Sequence, residues 1–220
     1  MSAILFGSIS TLADTSELQR RAFNQAFETH GLDWDWSQDD YREMLASNGG
    51  SARISEYATS RGESVDAAAV HETKSELFRS SLAVTALKAR PGVVDTIKGA
   101  KSDGWKVALV TTTAPDNVAA LLNALSPAVN AADFDLIVDS SSVAESKPDK
   151  AAYTFALKSL GESASQSVAI EDNVGGVSAA QSAGVACVAF PNENTADHDF
   201  SAASTKIATL DIDQLLKLTK

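Results

Sequence analysis

Short apolar runs alternate with amphipathic segments along most of the chain. The runs are continuous in Val, Ile, Leu, Ala and Phe, which is typical of strands buried on both faces of a parallel sheet. The segments between them repeat apolar residues every three or four positions, which predicts helices. We therefore expect an α/β fold, a parallel sheet covered by helices and joined by right-handed crossovers. The predicted strands are 3–6, 106–111, 134–138, 167–170 and 186–190.

One long stretch departs from this alternation. Residues 16–30 repeat apolar positions at helical spacing, and residues 34–84 do the same without any alternating strand pattern. The sequence therefore predicts a helical cap domain, residues 16–84, inserted into an α/β core made of 1–15 and 85–220. Further helices are predicted at 93–101, 115–125, 148–161, 174–183 and 211–218.

Candidate chemistry follows the predicted strands. In open parallel sheets, ligands bind beyond the carboxyl ends of the strands, which here selects the loops 7–11, 111–113, 140–147 and 171–175. The hydroxyls of 111–113 precede a predicted helix and could hold a phosphate, although ordinary helix capping is an alternative. Glu171 and Asp172 are adjacent carboxylates at a strand end, where they need a cation or hydrogen bonds, and magnesium prefers such oxygen ligands.

The first loop carries a family pattern. Phe6, Thr11, Leu12, Asp14 and Thr15 align with the first motif, Phe-Asp-x-Asp-Gly-Thr-Leu-x-Asp-Thr, of the haloacid dehalogenase superfamily. The chain resembles in particular its beta-phosphoglucomutase-like sugar-phosphate phosphatases. Both motif aspartates are missing, because Gly7 stands at the nucleophile position and Ile9 at the acid/base position.

The resemblance assigns roles to the later loops. Thr111 matches the residue that binds the transferring phosphoryl group, with Thr112 beside it. Lys147 matches the lysine that neutralises phosphate. Asp172 matches a magnesium ligand, and Glu171 matches the residue that supports it. The resemblance thus implies a Rossmann-like core with a phosphate and magnesium site.

A second resemblance lies in the helical insertion. The segment 48–54 is similar to Gly-Gly-Lys-x-Arg-Ile of sugar-bisphosphate phosphatases of this group. It implies that Gly50 and Arg53 contact the substrate, with Arg53 gripping a distal phosphate in bidentate geometry. Ser51 stands where that family has lysine, and a solvated Arg53 is the alternative. Asp14 matches the aspartate at the cap hinge, where helix capping is a sufficient structural role.

The missing aspartates change the expected chemistry. In the family mechanism one aspartate attacks phosphorus and the other protonates the leaving group. Glycine has no side chain and isoleucine has no titratable proton, so neither residue can carry out its step. We expect magnesium binding that is weak or absent, with Asp172, Glu171 and the main-chain carbonyl of Ile9 as remaining ligands. A serine mechanism is the alternative, but strand alternation predicts that Ser8 points away from the faces of Gly7 and Ile9.

Three hypotheses therefore stay open. The chain is a catalytically impaired relative that retains a cleft for a phosphorylated small metabolite or has a regulatory role, with its protein partner unknown. It is instead an active magnesium-dependent phosphatase or phosphomutase that uses a non-standard residue. The third hypothesis is a protein-interaction module in which the cleft is vestigial.

Composition and charge limit the classes of partner that we expect. A net charge of −11 argues against nucleic acid, because phosphate backbones require clustered Lys and Arg. No apolar run approaches the roughly 18 residues needed to span a bilayer, so we expect a cytoplasmic protein without a membrane partner. The single cysteine, Cys187, lies in an apolar run and is predicted to be a buried strand thiol.

Overall fold

The fold is built on one parallel sheet. The computed structural model describes residues 2–46 and 49–219, and within them the sheet order is β3-β2-β1-β4-β5-β6 with every pairing parallel. This confirms the predicted α/β class. The strands are β1 Ala3–Phe6, β2 Lys106–Val110, β3 Leu136–Val138, β4 Ser167–Glu171, β5 Ala186–Ala189 and β6 Thr205–Lys206.

Helices cover both faces of the sheet. One apolar layer packs around Ile4 and Phe6, and the other around Leu5 and Ala108, because successive residues of a strand point to opposite faces. Within the described chain, none of the helices combines the length and hydrophobicity that spanning a bilayer requires. The helices are α1 Ile9–Leu12, α2 Ser16–Thr29, α3 Gln38–Met44, α4 Gly50–Ser60, α5 Ala67–Val84, α6 Val93–Ser102, α7 Pro115–Leu125, α8 Ala151–Leu160, α9 Val174–Ser182 and α10 Ile212–Leu216.

Helices α2 to α5, which we call the inserted helices, have an apolar core of their own. Its centre is aromatic: the ring of Phe23 lies 4.8 Å from that of Trp36, and the ring of Phe27 lies 4.7 Å from it, measured between centroids. Burying a large apolar side chain contributes about 1.5–3 kcal/mol. This separate core agrees with the predicted cap, although the domain boundaries themselves stay a prediction.

Register brings the candidate loops together. Phe6 pairs with both Leu109 and Ile170, so the chain leaves β1, β2 and β4 at the same edge of the sheet. The N–H of Gly7 donates to the Ile170 carbonyl at 2.8 Å, and the N–H of Thr111 donates to the Val138 carbonyl at 2.9 Å. These bonds extend the ladder past the strand ends and fix where the loops begin.

Several element boundaries differ from the prediction. Helix α8 begins at Ala151 instead of residue 148, because the Asp149 carboxylate accepts from the Ala151 N–H at 2.7 Å and holds a turn before the helix. Strand β3 begins at Leu136, after the short 3-10 turn Ala131–Asp133. Strand β6 was not predicted, because its two residues are exposed and carry no apolar pattern.

Candidate active site

A cleft of about 360 Å³ separates the carboxyl edge of the sheet from the inserted helices. It brings together most of the residues that the sequence singled out. The sheet edge contributes Gly7, Ile9, Thr111, Thr112, Lys147 and Asp172, and the inserted helices contribute Gly50 and Arg53. Glu171 and Asp14 do not line it.

Lys147 points into the protein. Its ammonium group donates to the Gly7 carbonyl, to the Val110 carbonyl at 2.6 Å and to Glu171 Oε1 at 2.6 Å. An ammonium group has three protons to donate, so these acceptors use all of them. The side chain is 6% exposed. Its predicted contact with phosphate stays a prediction, and such a contact requires one of these bonds to open.

Glu171 occupies the space beside the glycine at the nucleophile position. A Cβ added to Gly7 would overlap the Glu171 carboxylate, and so would a Cβ added to Gly176. The Tyr153 hydroxyl donates to Glu171 Oε1 at 2.7 Å, while Oε2 is buried without a hydrogen-bond partner among the described residues. Burial raises the pKa of Glu171, and the charge of Lys147 opposes that shift.

Asp172 is surrounded by hydrogen-bond donors. Its Oδ1 accepts from the Ser8 hydroxyl at 2.5 Å and from Asn173 Nδ2 at 3.1 Å. Its Oδ2 accepts from Asn192 Nδ2 at 2.7 Å, and its carbonyl accepts from the Thr195 hydroxyl at 2.6 Å. Both carboxylate oxygens therefore already have protein partners.

The position of Ser8 corrects an expectation. Ser8 was predicted to point away from the faces of Gly7 and Ile9, but it lines the cleft with them. The prediction was wrong because β1 ends at Phe6, so strand alternation does not extend to Ser8. Ser8 instead precedes α1, and its hydroxyl oxygen accepts from the Thr11 N–H at 3.2 Å.

The magnesium site implied by the resemblance does not fit these residues. Magnesium takes six oxygen ligands, whereas Asp172 Oδ1 accepts from two protein donors, Oδ2 accepts from one, and Glu171 is turned toward Lys147. Gly7 supplies no carboxylate. Across the described ranges, no group of three or more His, Cys, Asp or Glu side chains could hold a metal ion.

The threonine loop faces the cleft from β2. The Thr111 hydroxyl oxygen accepts from the Thr113 N–H at 3.2 Å, and Thr112 and Thr113 also line the cleft. Helix α7 begins at Pro115, and its N-cap residue, Ala114, provides no side-chain hydrogen bond. The capping alternative therefore has no supporting bond here, and phosphate binding by Thr111 and Thr112 stays a prediction.

The predicted residues of the inserted helices lie across the cleft. Arg53 is buried, its Nε donates to the Met44 carbonyl at 3.0 Å, and its guanidinium lies 5.8 Å from the centre of the Tyr41 ring. Arg53 is thus not the solvated arginine of the alternative. Gly50 lies against His71, whose ring an added Cβ would overlap. Asn48, in the resembling segment, lies outside the described residues.

Lys74 is a cleft residue that the sequence reasoning missed. Its ammonium group donates to Gln19 Oε1 at 3.0 Å and lies 4.7 Å from the Phe23 ring centre. The side chain is 4% exposed, and no acidic group of the described residues forms an ion pair with it. The sequence did contain a signal that Lys74 is buried, because it lies midway between the apolar residues Val70 and Phe78 on the buried face of α5.

Burial controls the charges around Lys74. Burial, followed by the charge of Arg53, lowers the pKa of Lys74 to about 7. Burial also lowers the pKa of His71 to about 4, with Lys74 and Arg53 adding to the shift. His71 is therefore neutral near pH 7, where Arg53 is charged and Lys74, with a pKa of about 7, is about half protonated.

Asp14 is exposed and does not line the cleft; it precedes the first of the inserted helices. Its Oδ1 accepts from the Ser16 N–H at 3.0 Å and from the Ser16 hydroxyl at 2.6 Å. Its Oδ2 accepts from the Glu193 N–H at 3.0 Å. The carboxylate thus ties the start of α2 to the loop after β5, and a role in substrate contact stays a prediction.

Comparisons with known proteins agree with this architecture. A family profile described as haloacid dehalogenase-like hydrolase matches residues 1–184. Protein CbbY from Cereibacter sphaeroides is 38% identical over 204 residues, covering 91% of this chain and 89% of its own. Protein CbbY from Rhodobacter capsulatus is 35% identical over 213 residues, covering 96% of this chain and 94% of its own.

Solved structures give the same result. The crystal structure of CbbY from Rhodobacter sphaeroides in complex with phosphate superposes with a TM-score of 0.86 at 36% identity, covering 95% of this chain and 94% of its own. A variant of that CbbY in complex with xylulose-(1,5)bisphosphate gives a TM-score of 0.85 at the same identity and coverage. Beta-phosphoglucomutase from Clostridium difficile shares the fold, with a TM-score of 0.78 at 17% identity, covering 99% of this chain and 96% of its own.

Proposed function

Because the chain belongs to the haloacid dehalogenase-like hydrolases, as its motifs predicted, we propose that it binds a phosphorylated sugar in the cleft and hydrolyses it poorly or not at all. In this proposal, residues 16–84 act as a cap over the core formed by 1–15 and 85–220. The proposal rests on one observation: Gly7 and Ile9 line a cleft whose other walls carry hydroxyl groups and cationic side chains that can bind an anion.

The proposed loss of turnover follows from the side chains at positions 7 and 9. Gly7 has no side-chain oxygen to attack phosphorus, and Ile9 has no proton to give to a leaving group. Glu171 does not replace the missing carboxylate, because its side chain is 0% exposed and is held by Lys147 and Tyr153. Removing the nucleophile at other covalent-catalysis sites lowers the rate by about a millionfold.

Anion binding has a separate support in the inserted helices. Lys74 is a buried cation without an acidic partner in the described chain, and such a group is stabilised by an anion that shares its cavity. Arg53 lies on the same side of the cleft. We propose that these residues take a distal phosphate, while Thr111 and Thr112 face the proximal one. A sugar bisphosphate of the kind bound to the Rhodobacter sphaeroides CbbY has this chemistry.

Calorimetric titration with xylulose-(1,5)bisphosphate and with inorganic phosphate tests the proposal. We expect the bisphosphate to bind more tightly, without phosphate release. We expect Arg53→Met and Lys74→Met each to weaken bisphosphate binding by about 10- to 100-fold, as loss of a charge-assisted hydrogen bond of about 1.5–3 kcal/mol requires.

Arg61→Met is the control, because Arg61 directly follows the helix that carries Arg53 but pairs with Glu63 outside the cleft. Its affinity for the bisphosphate should equal that of the unmodified protein. The proposal fails if neither ligand binds at millimolar concentrations, or if the unmodified protein releases phosphate from the bisphosphate at a rate ordinary for enzymes, about 1 per second or faster.

A second candidate function has one specific observation in its favour. The Ser8 hydroxyl donates to Asp172 Oδ1 at 2.5 Å, and a serine beside a carboxylate base is an arrangement that can activate a nucleophile. In turnover through Ser8, the serine oxygen would bond to phosphorus as the P–O ester bond of the substrate breaks. Asp172 would take the hydroxyl proton and pass it to the leaving oxygen, and water would then hydrolyse the phosphoserine to release phosphate. Ser8→Ala would then abolish phosphate release, whereas under the first proposal any slow release would not depend on Ser8.

A further inference from the structure

We infer that the cleft binds its phosphorylated ligand without a divalent cation, and that the positive charge for the ligand comes from the inserted helices. The inference rests on the proposed function, because it concerns the same ligand. The carboxylates at the sheet edge do not offer the ligands that a magnesium ion requires.

Asp172 is the carboxylate that lines the cleft. Its Oδ1 accepts from the Ser8 hydroxyl at 2.5 Å and from Asn173 Nδ2 at 3.1 Å, and its Oδ2 accepts from Asn192 Nδ2 at 2.7 Å. Each carboxylate oxygen has about two acceptor sites, so only Oδ2 keeps one for a cation. A cation on Oδ1 would have to displace a donor, at the cost of a charge-assisted hydrogen bond of about 1.5–3 kcal/mol.

Glu171, the neighbouring carboxylate, is held inside the protein. Its Oε1 accepts from Lys147 and Tyr153, and its Oε2 lies against Gly176, where an added Cβ would overlap it. The side chain does not line the cleft. The unpartnered Oε2 is therefore enclosed by backbone and is not presented to a ligand.

The formal charge at the sheet edge is low. Glu171, Asp172 and Lys147 together carry a formal charge of −1, whereas the same site with aspartates at positions 7 and 9 would carry −3. The attraction between the site and a cation scales with this charge, so the present site attracts magnesium far less. Without carboxylates at positions 7 and 9, the site also repels phosphate less. In a site that held them, a bound cation would be needed to offset that repulsion.

The inserted helices supply positive charge that can take the place of a cation. Arg53 and Lys74 face the same cleft from the inserted helices, and both are buried. Charges in such surroundings are screened less by water and salt than surface charges. These two groups can balance the anion from the side opposite the sheet edge.

Titration of the intact protein with Mn²⁺, followed by the loss of the free-ion EPR signal, tests the cation site directly. We expect no saturable binding at millimolar Mn²⁺. We also expect the calorimetric Kd for xylulose-(1,5)bisphosphate to be the same in magnesium and in EDTA. Ser8→Ala, which removes one donor from Asp172, should increase Mn²⁺ binding if the donors exclude the ion.

Two results would overturn the inference. The first is saturable Mn²⁺ binding by the unmodified protein that Asp172→Asn abolishes. The second is bisphosphate binding that is tighter by about tenfold or more in magnesium, a difference of about 1.4 kcal/mol. If no phosphate ester binds in either buffer, the proposed function fails, while the Mn²⁺ titration still decides whether a cation site exists.

Discussion

At the scale of single residues, the site is organised by one buried ion pair. Lys147 and Glu171 contact each other at 2.6 Å with 6% and 0% of their side chains exposed. Removing one member of such a pair leaves a buried charge without compensation and typically costs about 3–5 kcal/mol. The pair therefore fixes the loop after β1 as well as the end of β4.

Glu171→Gln should lower the free energy of unfolding by about 3–5 kcal/mol. The glutamine keeps the size of the side chain and an oxygen that can accept from Tyr153, so the loss reports the missing charge. Urea denaturation measures it. Glu76→Gln, at an exposed position of α5, is the control and should change stability by less than about 0.5 kcal/mol. Equal stability of the two variants would contradict the role given to the pair.

The lowered pKa of Lys74 predicts how stability and ligand affinity change with pH. Its pKa is about 7 in the folded protein and 10.5 in its ordinary state, so the unfolded chain binds more protons between these values. Stability should therefore rise as pH increases from about 7 to about 10.5, while affinity for an anionic ligand should fall as Lys74 loses its charge. Lys74→Met should flatten both profiles relative to the unmodified protein. Urea denaturation and calorimetry at stepped pH measure them, and identical profiles would refute the assignment.

At the scale of secondary-structure elements, the start of α9 links stability to the site. Asn173 caps this helix, because its Oδ1 accepts from the Gly176 N–H at 2.8 Å, and its Nδ2 donates to Asp172. Asp66 caps α5 in a similar way, accepting from the Ala69 N–H at 3.0 Å, but it does not line the cleft. The two caps form a matched pair.

Asn173→Ala and Asp66→Ala should each lower the free energy of unfolding by about 0.5–2 kcal/mol through loss of the cap. Only Asn173→Ala should also change the affinity for phosphate esters, because only it alters the donors around Asp172. Urea denaturation and calorimetry on both variants separate the two effects. A change in affinity with Asp66→Ala of the same size would show that the effect is general destabilisation.

Elements were the most predictable level of the structure. The strands of the parallel sheet are continuous apolar runs, so β1, β2, β4 and β5 could be located from sequence. Elements held by tertiary context could not: α1 has four residues, and its start depends on Ser8, whose hydroxyl bonds both Thr11 and the distant Asp172. The rule for carboxyl ends of strands predicted which loops meet, because it depends only on topology.

At the scale of the whole molecule, hydrogen bonds close the inserted helices onto the core. Gln38 Nε2 donates to Asn194 Oδ1 at 2.9 Å, and Arg79 Nη1 donates to Asn117 Oδ1 at 3.2 Å. These contacts join residues far apart in sequence. No sequence pattern marks them, because each depends on the final packing.

Gln38→Ala combined with Arg79→Ala should open this arrangement. We expect faster amide hydrogen exchange in α3, and weaker binding of phosphate esters, because the ligand must then also restore the closed form. Mass spectrometry of exchange measures the first effect and calorimetry the second. Gln25→Ala, at an exposed position of α2, is the control. Unchanged exchange in the double variant would show that other contacts hold the closure.

The Glu171 carboxylate beside Gly7 has a consequence for any attempt to install a nucleophile in this cleft. An aspartate placed at position 7 would meet that carboxylate at once, and it would have to draw Glu171 away from Lys147 and Tyr153. Gly7→Asp by itself is therefore expected to give a strained, less stable protein. An engineered active variant needs a compensating change at Glu171 in the same design.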